Sequence, residues 1–446
     1  MSGRERIDSA EVRAIDLFVH ELVVGLVLLD VCAPETDDVQ MHVATLAHRL
    51  RQVLADEKSR TLALELSENE IWHEHRPLVG ASLQAGALLR LCHERRVATL
   101  GFAAGLTPDE ILRFLLLLRS PSDLWAFHPN HLAKVLESRG LRHVHVLLRG
   151  QEPPDAAGGA EAARRPALRR YQAMADYLQR SHAEAVHGHE LDTAIAKGLV
   201  EQALEDMDRE PSSLLSLATY DDVDTFTVGH SVRVALLALH VARAAGASRG
   251  QQLRIGTAAL LHDVGKSRIP NQILFKQGRL SREERAVMMQ HARFGAEILL
   301  EQKGLDPSAI GAAYCHHMGP QGHGYPGPVL PFEPSGVSKL VRVCDVFEAL
   351  TAVRPYKRAL SPLEAYTVMF RMEHGFDPAW LEFFVKSVGL YPDGTRVRID
   401  GDREAVVVGQ GENPTKPRLR LLDSGAEVSL TEPIDGRMRK IQQVLS

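Results

Sequence analysis

The chain has 446 residues, 45% hydrophobic and 24% charged, a profile that excludes a mainly disordered protein and leaves room for two or three domains. Its 52 Lys and Arg against 57 Asp and Glu give a net charge of −5, so no basic excess favours nucleic-acid binding. Cys32, Cys92, Cys315 and Cys344 have no paired spacing, which fits a reducing compartment better than a disulfide scaffold.

The apolar stretch from Ile15 to Cys32 is interrupted by Asp16, His20, Glu21 and Asp30. It falls short of the roughly 18 uncharged residues a spanning helix needs, and it lacks the clean core of a signal peptide. With no membrane anchor or export signal, a cytoplasmic protein is expected. Helical periodicity at about 11–31 and 38–57 precedes Thr61–Leu66, where Leu62, Leu64 and Leu66 alternate with Thr61, Ala63 and Glu65. Ile71–His75 follows Ser67–Asn69 and predicts the second arm of a hairpin. Thr107, Pro108 and Glu110 spell a helix start with a capping box, and Val144, Val146 and Leu148 alternate as a strand. Residues 1–149 therefore read as an α+β domain, either a regulatory or dimerisation unit or a plain packing domain.

Pro, Gly and Ala crowd Gly150–Ala167, a linker. Residues 168–388 read as helical almost throughout, and 168–210 suggest a signalling stalk. Ser281 with Glu284 and Ser361 with Glu364 are two further capping boxes, and Asp377-Pro378 opens another helix. After Gly389, the β-prone runs Thr395–Asp400, Ala405–Gly409 and Leu419–Leu422 are separated by turn residues. Residues 389–446 form a small β module. Lys416, Arg418 and Arg420 alternate on one strand, as a basic edge or, more simply, a solvated face. The expected fold class is mainly α, with an N-terminal α+β domain and a C-terminal β module.

The 21 His decide the chemistry. His230, His262 with Asp263, His291, His316 with His317, and Asp345 succeed one another in the helical region. Imidazole and carboxylate donors together favour iron, manganese or zinc, and the lack of a Cys pair argues against a structural zinc site. Lys266, four residues after His262, is expected on the same helix face, beside whatever the metals bind. Singly, each of these histidines suits a surface or packed position. Their order and the context His262-Asp263-Val264-Gly265-Lys266 are what carry the reading.

His230, His262-Asp263 and Asp345 resemble the HD superfamily of metal-dependent phosphohydrolases. With His291, His316-His317 and Gly324-Tyr325-Pro326, the set resembles its HD-GYP subfamily, bacterial phosphodiesterases of cyclic di-GMP. The segments 262–270, 273–280 and 345–357 add to the likeness, which covers about residues 210–388. The resemblance implies a helical HD-type domain with two divalent metals, iron or manganese. One would take His230, His262, Asp263 and Asp345; the other would share Asp263 and take His291, His316 and His317. It implies a metal-bridging hydroxide attacking phosphorus, with Asp263 and Lys266 catalytic. Lys266, Tyr325, Arg354 and Lys357 would bind substrate. Some family members hold a third metal through a Glu where this chain has Phe226.

The chain departs from the family at the loop after His317, where Met318 replaces an acidic residue and Gln321 an Asp. Both family residues would suit a role in orienting the His pair. Two outcomes stay open on sequence alone: a phosphodiesterase of cyclic di-GMP or another cyclic dinucleotide, or a weak or inactive module that binds such a ligand and regulates partners. A homodimer or a signalling protein is a compatible partner for either.

Overall fold

The first helix, α1 (Ser9–Val31), buries Ile15, Phe18, Val19, Leu22 and Leu26, and α2 (Asp37–Asp56) packs Val39, Val43, Leu46 and Leu50 into the same core. This is a computed structural model, and it describes residues 9–56, 61–74, 76–121, 129–149, 165–209, 227–274, 276, 278–327, 332–352, 359–372, 375–399, 403–411, 413, 415–430 and 440–445. The chain divides into two compact units, residues 1–183 and 184–446.

In the first unit, β1 (Thr61–Leu66), β2 (Ile71–His73), β3 (Arg76–Pro77), β4 (Val97–Ala103) and β5 (Val144–Leu148) form one antiparallel sheet. The strand order is β3-β2-β1-β4-β5, with Glu65 opposite Trp72 in the expected hairpin. Its helices continue with α3 (Val79–Gln84), α4 (Gly86–Glu94), α5 (Pro108–Arg119) and α6 (Pro129–Ser138). Thr107 caps α5 through Glu110 in the capping box that the sequence predicts. Phe102 of β4 meets Phe18 of α1 and Phe114 of α5 edge-on, with ring centroids 5.1 and 5.7 Å away. Burying each such ring contributes about 1.5–3 kcal/mol.

The helix α7 (Arg165–Val186) corrects the expected domain boundary. It was expected to begin the helical domain at 168, within a stalk, but it packs into the first unit. Gln172 Nε2 donates to the Asn69 carbonyl at 2.9 Å, and Arg90 pairs with Asp176 at 2.7 Å. Those polar contacts, the first buried and the second at the surface, bind α7 to the sheet-bearing unit. Of the expected linker, 150–164 lie outside the described residues, and α7 begins before its end.

In the second unit α8 (Thr193–Arg209), α9 (Thr227–Ala244) and α10 (Arg249–Leu261) lead into a short 3-10 turn, Val264–Arg268. The remaining helices are α11 (Asn271–Leu274), α12 (Arg282–Met288), α13 (His291–Leu300), α14 (Pro307–Cys315), α15 (Gly336–Thr351), α16 (Pro362–Arg371) and α17 (Pro378–Val388). The boxes at Ser281 and Ser361 and the Asp377 cap form as expected. At the centre lies α9, with Val232, Val234, Leu236, Leu237 and Leu239 buried. A Cβ on Gly256 of α10 would come within 2.6 Å of Leu239 and Val200, so only a glycine lets α10 settle against its neighbours there.

The C-terminal strands β6 (Arg396–Ile399), β7 (Arg403–Gly409), β8 (Arg418–Leu421), β9 (Glu427–Ser429) and β10 (Ile441–Leu445) make an antiparallel sheet ordered β10-β6-β7-β8-β9. Val397, Ile399, Val407, Leu419 and Leu421 form its small core. Arg418 and Arg420 face solvent, and Arg420 pairs with Glu427 at 2.8 Å. None of the four cysteines forms a disulfide. Among the described residues, no helix is long and apolar enough to cross a membrane.

Candidate metal centre

The ends of helices supply most of the site. His262 caps α10, Asp263 caps the 3-10 turn, His291 begins α13 and His316 caps α14, while His230 and Asp345 come from within α9 and α15. A helix end frees a side chain to turn inward without disrupting a ladder of backbone bonds. All seven residues expected as ligands converge on one cluster.

Asp263 is its hub. Its Oδ2 lies 3.5 Å from His230 Nε2 and 3.4 Å from His262 Nε2. Its Oδ1 lies 3.4 Å from His291 Nε2 and 3.7 Å from His316 Nε2. His230 Nε2 is also 3.1 Å from Asp345 Oδ1. On the opposite side, His291 Nε2 is 3.1 Å from the Nε2 atoms of both His316 and His317. One carboxylate thus separates two groups of donors.

Each buried imidazole is turned by a bond to its other nitrogen. His262 Nδ1 donates to the Ala259 carbonyl at 2.7 Å, His291 Nδ1 to Met288 at 2.7 Å and His316 Nδ1 to Ala312 at 3.0 Å. His230 differs, because its Nδ1 bonds the Glu348 carboxylate, which Arg233 grips from the other side. The sequence reading missed Glu348 and Arg233. Glu348 stands one turn after Asp345 and Arg233 one turn after His230, a periodicity that marks them only once the two helices are known to face each other.

Lys266 reaches the site by another route than expected. Helix α10 ends at Leu261, so His262 and Lys266 share no α-helix face; the tighter 3-10 turn brings Lys266 Nζ onto Asp263 Oδ2. That turn lies directly on α13. A Cβ on Gly265 would meet the His291 carbonyl at 2.0 Å and the Gly295 nitrogen at 2.2 Å.

The cluster opens at one edge. His262 and His316 are completely buried, whereas Lys266, His317 and Tyr325 are partly exposed. The Tyr325 ring stacks on His317 with centroids 4.5 Å apart. Gly324 bridges back to Met318 with a φ of +128°, and a Cβ there would meet the His317 carbonyl at 2.2 Å. Met318 is buried, while Gln321 and His323 are exposed, so the structure gives the departure at Gln321 no contact with the cluster. Arg354 and Lys357, and Phe226 at the third-metal position, lie outside the described residues.

Electrostatics prepare these groups as donors. Burial pushes the His262, His291 and His316 imidazoles below their ordinary value and His317 down to about 3, so all four carry free lone pairs near neutrality. Burial alone would raise Asp263 and Asp345; Lys266 and the rings around Asp263, and His230 and His317 beside Asp345, instead hold both well below the usual carboxylate range. For His230, burial is outweighed by Glu348 and Asp345, which push it up to about 9, so a proton sits where a cation would relieve the same carboxylates.

The donor set fits a metal. His262 Nε2 and Asp263 Oδ1 are buried with no hydrogen-bond partner, a costly state for polar atoms unless something binds them. Three overlapping groups have ligand atoms within 4.8 Å of one another: His291, His316 and His317; His230, His262 and Asp345; and His262, Asp263 and His316.

Residues 219–380 match the HD domain family. The chain is 35% identical over 242 residues to a cyclic di-GMP phosphodiesterase of Pseudomonas aeruginosa, covering 54% of this chain and 58% of that one. It is 34% identical over 174 residues to a 3′3′-cGAMP-specific phosphodiesterase of Vibrio cholerae, covering 39% and 38% respectively. A cyclic di-GMP phosphodiesterase response regulator of Xanthomonas campestris is 34% identical over 191 residues, covering 41% and 49%. The chain spans about half the length of the curated relatives it matches.

Proposed function

We propose that the chain is a metal-dependent phosphodiesterase that hydrolyses a cyclic dinucleotide, cyclic di-GMP before others. The observation that carries the reading is the unfinished carboxylate at the hub: Asp263, flanked by four imidazoles, has one buried oxygen without a hydrogen-bond partner. Curated relatives named for cyclic di-GMP and 3′3′-cGAMP support the substrate class.

In this reading Asp263 would be shared by two divalent ions, iron or manganese. His230, His262 and Asp345 complete one set, and His291, His316 and His317 the other. Bound ions supply an acidified water near pH 7 and positive charge for the phosphoryl oxygens. The net reaction adds water across a phosphodiester: its oxygen bonds phosphorus, the ribose oxygen departs, and that oxygen gains the proton. Lys266, at the open edge, offers charge to the phosphoryl group as its oxygens become more negative. Tyr325 shapes the same edge. Arg354 and Lys357 grip phosphate or base, as a fork and a point charge respectively.

The test is elemental analysis of the purified chain, followed by hydrolysis of cyclic di-GMP and of 3′3′-cGAMP with added Mn2+ or Fe2+. Two metals per chain with formation of a linear dinucleotide are expected. Metal without turnover of either substrate would replace this reading with a binding module.

A further inference from the structure

We infer that Glu348 is a positioning residue for the His230 side of the metal centre, with Arg233 as its counterweight. The inference rests on the metal-dependent reading above. It starts from two helices that each carry a pair three residues apart: His230 and Arg233 on α9, Asp345 and Glu348 on α15. Three-residue spacing puts both members of a pair on one helix face, so the two pairs meet. Glu348 accepts from His230 Nδ1 with one oxygen, and from Arg233 Nε at 2.7 Å and Nη2 with the other. Glu348 and Arg233 are 2% and 5% exposed, so neither charge is shared with bulk water.

Three consequences follow. A carboxylate on Nδ1 holds a proton there, which leaves Nε2, beside Asp345 and Asp263, as the atom of the ring that a cation would take. An anionic partner also makes that imidazole a stronger electron donor than His262, His291 or His316, which bond neutral carbonyls. Arg233 balances Glu348 locally, so a third acid can sit beside Asp263 and Asp345 without an uncompensated buried charge. The two halves of the centre are therefore unequal, since His230 leans on a carboxylate where His262, His291 and His316 lean on carbonyls.

The experiment compares wild type with Glu348→Gln, both stripped by chelator and reloaded with Mn2+. Metal per chain is counted by elemental analysis, affinities come from competition with a chelating dye, and far-UV circular dichroism with apo melting reports the fold. The expected result is a roughly 10–100-fold weaker affinity for one of the two ions, the other unchanged, with wild-type apo dichroism. Loss confined to the apo melting temperature, with both affinities intact in folded protein, would reduce Glu348 to a structural brace and overturn the inference. If Glu348→Gln does not fold, Arg233→Lys decides. A smaller loss at the same single ion supports the inference, and wild-type affinity for both overturns it. A wild-type chain holding no metal would overturn the functional reading itself; two metals bound with wild-type affinity in every variant would overturn the positioning role alone.

Discussion

Glu110 in the first unit and Asp263 in the second are both buried carboxylates, yet their surroundings are opposite in kind. Glu110 accepts from the backbone nitrogens of Thr107 at 3.2 Å and Arg142 at 2.9 Å, and from His143 Nδ1 at 2.9 Å. Burial would raise its pKa, but these bonds outweigh burial and hold it below the ordinary glutamate range. Both of its oxygens accept hydrogen bonds. Asp263 meets Lys266 and a ring of imidazole edges, with one oxygen left unbonded. One carboxylate completes its bonds within its own surroundings, whereas the other leaves a place open.

The widest separation of the two should come from Asp263→Ala. It is expected to empty the site or leave a single ion, and to bring hydrolysis below detection, because both donor groups lose their common member. Elemental analysis of the folded variant reads this out; two metals retained would refute the shared role.

The open edge should respond next. Lys266→Ala is expected to lower kcat more than it raises KM, since its charge acts as the phosphoryl oxygens become more negative. Arg354→Ala should do the reverse, costing roughly 1.5–3 kcal/mol of substrate binding, about one to two decades in affinity, with metal content unchanged. Steady-state kinetics beside metal analysis would expose the division as wrong if Arg354→Ala stripped the ions.

On the closed side, Glu110→Ala should cost about 1–3 kcal/mol of stability by orphaning the donors it serves. Denaturant melts should register that loss while Mn2+ affinity stays at the wild-type value. A shift in metal affinity would mean the contrast between the two carboxylates is drawn too sharply.

The smallest effect concerns acid. Burial pushes His20 down to about 3, below its ordinary 6.5, despite the Gln84 side chain 2.7 Å from its Nδ1. The unfolded chain therefore binds a proton that the folded one refuses. The stability this residue contributes is whole above about pH 6.5 and shrinks as pH falls towards 3. His20→Gln should flatten that limb of the melting-temperature profile, and identical slopes in the two proteins would rule the mechanism out.

Sequence revealed those parts of the molecule whose causes are local. The boxes at Thr107, Ser281 and Ser361 each close over three residues, and β1 alternates because one face is covered. The ligand segments were legible as compact phrases, above all His262 to Lys266. The strand β4 went unread because it is buried almost throughout and does not alternate. The pairing of Arg233 with Glu348 spans 115 positions, and no local pattern encodes such a meeting. The 3-10 path to Lys266 was hidden for a related reason, since the tighter turn follows from how closely α13 approaches Gly265.

That approach has a consequence for how the protein can change. At Gly265 two stretches of main chain touch with no side chain between them, and the touching atoms lead directly to Asp263 and His291. The spacing of Asp263 from His291 is thus set by a main-chain van der Waals contact, with no side chain between them to trim or enlarge. Drift around the rim can retune affinity or charge while that contact holds. Any side chain at position 265 would wedge the halves apart together, so variation there is all or nothing, whereas the rim remains free to diverge.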